Sequence, residues 1–111
     1  MIHSFIRAYR KRYGFSQEEL ARLLGISRRD LYRFEERGKT PSLAFALKLE
    51  IVFGIPPAVL FPDLFSKVEE EAMREGKTLL EALEGKTDAI SVGKRKLIEE
   101  MPTRRVAGPS A

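Results

Sequence analysis

The apolar residues of this chain recur at the spacing of α-helices, and no segment alternates between apolar and polar residues as a half-buried strand would. A first helix is predicted over residues 2–13, and Gly14 follows it, where a residue of left-handed conformation commonly ends a helix. One face of this helix carries the apolar stripe Ile2, Phe5, Ile6, Tyr9 and Tyr13. The pattern predicts an all-α fold.

Two short helices joined by a tight turn are predicted next. Ser16 and Glu19 have the spacing of a capping box, which begins a helix over about 17–24. The turn is Gly25-Ile26-Ser27, and its serine caps a third helix over about 28–36. The second helix is apolar at Leu20, Ala21, Leu23 and Leu24, and the inward-facing residues of the third are Leu31 and Phe34. The third helix is therefore expected to pack across the second.

Two further helices complete the first half of the chain. Ser42 caps a fourth helix over about 43–53, and Gly54 ends it. Its inward-facing residues are predicted to be Leu43, Ala46, Leu47, Ile51 and Phe53. Pro56-Pro57 opens a short fifth helix through Phe61, because proline is tolerated in a first helical turn.

The helical signals weaken after Pro62. A sixth helix is predicted over about 63–75, and Gly76 interrupts it. The remaining segments are predicted to be a further turn or two over 77–83, a linker over 85–93, a short helix over 94–101 and a disordered tail over 102–111. The chain is therefore divided into a domain over 1–65, a helical extension over 66–101 and a tail.

Composition excludes several classes of function. A chain of 111 residues suits one compact domain with an extension. It has no cysteine and a single histidine, His3, so neither a zinc site nor a Cys/His nucleophile is expected. No glycine-rich loop precedes a helix that starts with Lys-Ser/Thr, so no nucleotide site is predicted. We therefore expect neither an enzyme nor a cofactor.

No apolar run reaches the ~18 residues of a membrane-spanning helix, and the N-terminus lacks the apolar core of a signal peptide. A cytoplasmic protein is therefore expected.

The positive charge is concentrated on one part of the chain. The net charge of +4 lies in residues 1–65, whereas residues 66–111 are neutral. The third predicted helix begins with Arg28 and Arg29 and carries Arg33 one turn later. A short helix with a basic N-terminal end, supported by another helix, has the shape that enters a DNA major groove. The alternative is that these charges only keep the surface solvated.

Several short phrases occur in order and at fixed separations. They are Ser16-Gln17-Glu18-Glu19-Leu20-Ala21, Leu24-Gly25-Ile26-Ser27, Phe34-Glu35, Arg37-Gly38-Lys39, Pro41-Ser42-Leu43, and Phe53-Gly54-Ile55 followed by Leu60-Phe61. With these phrases, residues 2–65 resemble the Xre family of helix-turn-helix proteins, named after phage repressors of the lambda, 434 and Cro type. The resemblance implies a five-helix, lambda-repressor-like domain that binds double-stranded DNA, usually as a homodimer.

The resemblance also implies which residues meet the DNA. Gln17 is expected to contact a phosphate, and Ser27, Arg28 and Arg29 are expected to contact phosphates and base edges. Arg33 is expected to reach bases or the DNA backbone. Lys39 and Thr40, in the loop after the third helix, are expected to contact the phosphates on the far side of that helix. Tyr32 on the same helix is a further candidate, for packing on a sugar or a thymine methyl group. A partly buried ion pair between Arg10 and Glu35 is also implied, and it would orient the third helix.

The chain departs from the family at one point. The common phrase Glu-x-Gly is replaced by Glu35-Glu36-Arg37-Gly38, which has one residue more. Either the third helix gains a residue at its end, or the insertion lies nearer the turn. In the second case Glu36 takes the ion-pair role, and the outward faces at Tyr32 and Arg33 turn by about 100°.

These features predict a sequence-specific transcriptional regulator of bacterial or phage type, and a repressor rather than an activator. Repression needs only occupancy of the operator, whereas nothing in the sequence identifies a polymerase contact. One alternative is an antitoxin that holds a toxin with residues 64–101. Another is an interaction adaptor whose helix-turn-helix no longer binds DNA, against which the three arginines argue.

A dimer of such domains needs a surface of its own. The sequence places this surface on the fifth helix or on residues 63–83, where the candidates are Leu64, Phe65, Val68, Leu79, Leu80 and Leu83. The alternative is that these side chains fold back onto the core of their own chain.

Overall fold

A computed structural model describes residues 3–104, and these form an all-α chain, as the sequence predicts. The elements are α1 (Ile6–Arg12), α2 (Gln17–Leu24), α3 (Arg28–Glu36), α4 (Leu43–Phe53), α5 (Pro57–Leu60), α6 (Pro62–Ala82), α7 (Ala89–Glu100) and a 3-10 helix (Met101–Thr103). The described residues fall into two compact units that divide after Phe65. None of their helices is both long enough and apolar enough to cross a membrane.

The helix starts follow the capping pattern of the sequence. The Ser16 hydroxyl accepts the backbone N–H of Glu19 at 3.0 Å, and the Glu19 carboxylate accepts the N–H of Ser16 at 2.9 Å. These hydrogen bonds lower the pKa of the Glu19 carboxyl group. Gly25 then ends α2 in the left-handed conformation, with φ at 71°. The predicted capping box and tight turn are confirmed.

The core of the first unit is built from α1 to α5. Its fully buried side chains are Ile6, Leu20, Leu24, Leu31, Leu49 and Leu60. The rings of Phe34 and Phe45 stack with their centroids 4.0 Å apart, which joins α3 to α4. The predicted inward positions Leu31 and Phe34 are confirmed, so one face of α3 is committed to the core and the opposite face is left to solvent.

The predicted inward face of α4 is partly wrong. Ala46 and Phe53 are buried as expected, but the rest of the buried face is Phe45 and Leu49. The three other predicted core residues are exposed, at 76% for Leu43, 46% for Leu47 and 82% for Ile51. The sequence of α4 is apolar almost all round, so its periodicity does not select a face. The stacking of Phe45 on Phe34 fixes the orientation instead.

The first helix begins later than the 2–13 pattern predicts. α1 starts at Ile6, and the backbone N–H of Phe5 donates to the carbonyl of Leu60 at 2.8 Å. The N–H of Phe5 is thus bonded to another element of the fold, and Phe5 precedes the first residue of α1. Residues 1–2, and with them Ile2 of the predicted stripe, lie outside the described residues.

The second unit holds two further corrections. α6 continues through Gly76, where a helix end was predicted. A Cβ at this glycine would lie 3.1 Å from Cγ2 of Ile98, so the residue permits a close approach of α6 and α7. The predicted linker is also too long, because Asp88 caps α7 by accepting the N–H of Ser91 at 3.0 Å.

The predicted tail is only partly described. Met101–Thr103 form a 3-10 turn rather than an irregular segment, and residues 105–111 lie outside the described residues.

Candidate nucleic-acid interface

The N-terminal end of α3 is cationic and open to solvent. Arg28 and Arg29 occupy its first two positions, and both are exposed. The Ser27 hydroxyl caps the helix by accepting the N–H of Asp30 at 3.0 Å. The other backbone N–H groups of this turn have no partner within a helix, and they point along the positive end of the helix dipole. This end of α3 is therefore suited to a phosphate or an acceptor edge of a base.

Gln17 at the start of α2 lies between two charged side chains. Its carbonyl oxygen accepts from Nε of Arg28 at 3.5 Å, and its amide nitrogen donates to the Glu35 carboxylate at 3.3 Å. The side chain predicted to contact a phosphate therefore also connects the first arginine of α3 to the interior of the domain.

A bidentate ion pair connects α1 to the end of α3. Nε and Nη2 of Arg10 lie 2.8 and 3.0 Å from the two carboxylate oxygens of Glu35. The exposed fraction of the side chain is 10% for Arg10 and zero for Glu35. Arg10 also donates to the carbonyl of Phe15 at 3.1 Å, which ties the ion pair to the start of α2. This network fixes the direction of α3 from inside the domain.

The extra residue of the chain lies at the end of α3. The helix runs to Glu36. The Glu36 carboxylate lies 3.4 Å from Nη1 of Arg7, and both side chains are partly exposed. Glu36 does not take the place of Glu35 against Arg10 in this arrangement. The geometry thus corresponds to a helix that is longer by one residue at its C-terminal end.

The other predicted contact residues surround a carboxylate. Nη1 of Arg33 and Nζ of Lys39 lie 3.5 and 3.7 Å from the same oxygen of Asp30. Lys39 also lies 5.0 Å from the centre of the Phe34 ring. Thr40 follows it in the exposed loop before α4. Arg33 is only half exposed, so it is less available to DNA than the two arginines at the start of the helix.

Tyr32 is 41% exposed on the outer side of α3, and the Arg37 guanidinium lies 5.8 Å from the centre of its ring. The sequence analysis predicted neither this cation–π contact nor the pairing of Asp30 with Arg33 and Lys39. Asp30 and Arg33 are three residues apart on a helix, and this spacing could have predicted their ion pair.

A concave surface of about 500 Å³ lies beside the cationic end of α3. It is lined by four basic residues, Arg7, Arg10, Lys11 and Arg28, together with Ser16, Gln17 and the carboxylates of Glu18 and Glu36. Among residues 3–104, no three metal-binding side chains come together. Basic groups outnumber carboxylates by four to two on this surface, which favours anions over cations as ligands.

The candidate dimer residues differ in their surroundings. Leu64 packs against the core of the first unit, Leu83 is buried, and Leu80 is half-buried. Phe65, Val68 and Leu79 are exposed by 38%, 54% and 48%. Only the last three are free to meet another molecule.

Comparison with known proteins places this geometry in a family. The family described as helix-turn-helix matches residues 6–60. A protein of Thermococcus kodakarensis designated an HTH-type transcriptional regulatory protein is 37% identical over 76 residues, which cover 68% of this chain and 24% of that protein. An uncharacterized HTH-type transcriptional regulator of Archaeoglobus fulgidus is 43% identical over 67 residues, which cover 60% of this chain and 89% of the relative.

A further relative, from Pyrococcus horikoshii, carries the same kind of designation as the Thermococcus protein. It is 47% identical over 51 residues, which cover 46% of this chain and 16% of that protein. The chain thus spans about a quarter or less of the larger relatives and nearly the whole of the Archaeoglobus one. With the matched helices, the capped tight turn and the exposed basic end of α3, the chain belongs to the helix-turn-helix family of Xre type, a family of DNA-binding transcriptional regulators rather than enzymes.

Proposed function

We propose that this chain is a sequence-specific DNA-binding regulator that inserts α3 into the major groove. The observation that carries the proposal is the exposed pair Arg28 and Arg29 at the N-terminal end of a helix whose other face is buried. Arginine can donate two hydrogen bonds to O6 and N7 of guanine, which is worth about 1–3 kcal/mol of discrimination between bases. We therefore assign base reading to this end of α3.

Gln17 and the residues around it would position the reading arginines. Because its carbonyl oxygen faces Arg28, Gln17 limits the directions that this guanidinium can take. Its amide retains a second N–H for a phosphate. Ser27 at the turn lies where the backbone of the DNA would pass beside the helix end. Phosphate contacts of this kind set the register of a protein on DNA but carry no sequence information.

The far side of the binding surface consists of the exposed outer face of α3 and the loop that follows it. Tyr32 would pack on a sugar or on a thymine methyl group, and Arg33 would reach the base edges or the backbone. Lys39 and Thr40 would bind the phosphates beyond α3, since both are exposed in the loop before α4.

We infer that the protein acts as a repressor and binds as a homodimer in the cytoplasm. Occupancy of an operator is sufficient for repression, and a two-fold dimer would read two half-sites about one helical turn apart. The exposed residues Phe65, Val68 and Leu79 would supply the contact between the two copies.

A second candidate function is that of an antitoxin, which would bind DNA in the same way and hold a protein toxin through residues 64–101. The observation that favours it is the exposure of apolar side chains on α7, at 71% for Ile90 and 60% for Leu97. Substitution of both by serine would abolish toxin binding while leaving DNA binding intact.

The test is selection of bound sequences from a random duplex pool at near-physiological salt. The wild type should recover a two-fold motif that includes a G·C pair, and the Arg28→Ala/Arg29→Ala variant should lose selection at that pair. The control is Lys94→Ala/Lys96→Ala on α7, which removes the same charge from two exposed positions of the second unit. Recovery of no motif by the wild type would refute sequence-specific binding, and equal selection by the arginine variant would refute the assignment of base reading to this end of α3.

A further inference from the structure

The three carboxylates of α3 have different partners. Glu35 is bound by Arg10 and Glu36 by Arg7, so both face α1. Asp30 instead lies next to Arg33 and Lys39, two cations that the proposed function assigns to DNA. Asp30 is thus the one acidic side chain of α3 that is held by cations of the proposed binding surface.

The ion pairs of Asp30 contribute little to folding, because all three side chains are about 40% exposed. They matter for DNA binding, because a phosphate that binds Arg33 or Lys39 would have to replace the Asp30 carboxylate. A carboxylate and a phosphate compete for the same donors, and a cation that is already paired releases fewer counterions from DNA when it binds. The free protein would therefore carry two of its phosphate-binding cations in a partly neutralised state.

We propose that Asp30 weakens binding to DNA of arbitrary sequence by holding Arg33 and Lys39. The proposal rests on the proposed function. On a cognate site, the base contacts of Arg28 and Arg29 make up for the cost of separating these cations from Asp30. On any other duplex nothing makes up for it, and the negative charge of Asp30 also repels the phosphates. Asp30 thus keeps duplexes that lack these base contacts weakly bound.

The variant Asp30→Asn tests this proposal, because it keeps the size of the side chain and removes its charge. The cap of α3 is retained, since the Ser27 hydroxyl accepts the backbone N–H of residue 30. The matched control is Glu36→Gln, which makes the same charge change on the same helix at similar exposure, 35% against 39%. It frees Arg7 of α1, which is outside the proposed contact set.

The measurement is the affinity for a 30-base-pair duplex of random sequence, followed by fluorescence anisotropy at several salt concentrations. Two released cations should steepen the slope of log K against log salt by up to about 1.8, or about 0.9 for each phosphate. Asp30→Asn should therefore bind more tightly than the wild type at 50 mM salt, and its advantage should shrink about tenfold by 200 mM. Glu36→Gln should show only a small gain and an unchanged slope.

A second pair of variants separates the release of cations from a general effect of charge. In the background Arg33→Gln/Lys39→Met, Asp30→Asn should give only the small gain in affinity expected for Glu36→Gln, with no steeper slope. Equal behaviour of Asp30→Asn and Glu36→Gln, or a full gain in that background, would overturn the proposal and leave the proposed function standing. Failure of the wild type and every variant to bind DNA would overturn both. Thermal unfolding confirms that each variant is folded, and Asp30→Ser replaces Asp30→Asn if that variant is not.

Discussion

The buried ion pair between Arg10 and Glu35 makes a sharp prediction about stability. Replacing Arg10 by Met keeps an unbranched side chain but leaves the Glu35 carboxylate, which has no exposed side-chain surface, with Gln17 as its remaining side-chain partner. A buried charge that loses its partner costs about 3–5 kcal/mol. In a domain of this size, such a loss lowers the melting temperature by more than about 12 °C.

The double variant Arg10→Met/Glu35→Leu distinguishes the cost of an unpaired charge from the value of the pair. When both charges are replaced by apolar groups of similar size, the desolvation cost disappears together with the attraction. We therefore expect the double variant to be more stable than Arg10→Met alone, with a coupling energy of about 1–3 kcal/mol in a double-mutant cycle.

The measurement is urea unfolding of the wild type, the two single variants and the double variant, followed by circular dichroism. Arg7→Met is a suitable control, because Arg7 pairs with Glu36 across a gap of 3.4 Å with both side chains at least one third exposed. Its effect should stay below about 1 kcal/mol. An Arg10→Met variant no less stable than this control, or a double variant that shows the sum of the two single losses, would refute the reasoning.

Three further predictions concern packing and capping. Leu49→Ala should destabilise the protein by about 2–5 kcal/mol, whereas Ile51→Ala, at 82% exposure, should change stability by less than about 0.5 kcal/mol, which urea unfolding would measure. Gly76→Leu should separate α6 from α7 and lower the melting temperature, because the space beyond this glycine is filled by Ile98. The pKa of the Glu19 carboxyl is lowered in the folded protein, so its stabilising effect is full above its unfolded pKa and is lost as the pH falls through its folded pKa. The drop in melting temperature of the wild type below neutral pH should therefore be smaller in Glu19→Gln, and an equal drop in both would contradict this.

The local signals of the sequence predicted most of the fold. Ser16, Ser27 and Ser42 each begin a helix, and their caps depend on residues only three positions away. Such contacts are visible in a sequence because both partners lie in the same turn. The same signal was available at Asp88 and Ser91, where the cap of α7 went unrecognised within a predicted linker.

The errors arose where distant residues decide the structure. A glycine commonly ends a helix, so Gly76 was predicted to end α6. In the structure Ile98 approaches this position so closely that a residue without a side chain is favourable there. The orientation of α4 depends on Phe34, which lies in another helix. Neither partner can be identified from the spacing of residues along one element, because contacts between elements are set by the tertiary fold.

The polar face of α3 shows the same limit for function. From the sequence, Asp30 is an acidic residue in the first turn of the third helix, and Glu35 and Glu36 are a pair of acids near its end. The structure separates their roles by their partners, since Arg10 and Arg7 of α1 bind the two glutamates, whereas Asp30 lies next to Arg33 and Lys39. Along the nine residues of α3, the charges that do not pair with α1 come first, and the two glutamates that pair with α1 lie at its C-terminal end. Substitution of the buried Glu35 should therefore change stability, whereas substitution of Arg28, Arg29 or Asp30 should change affinity for DNA.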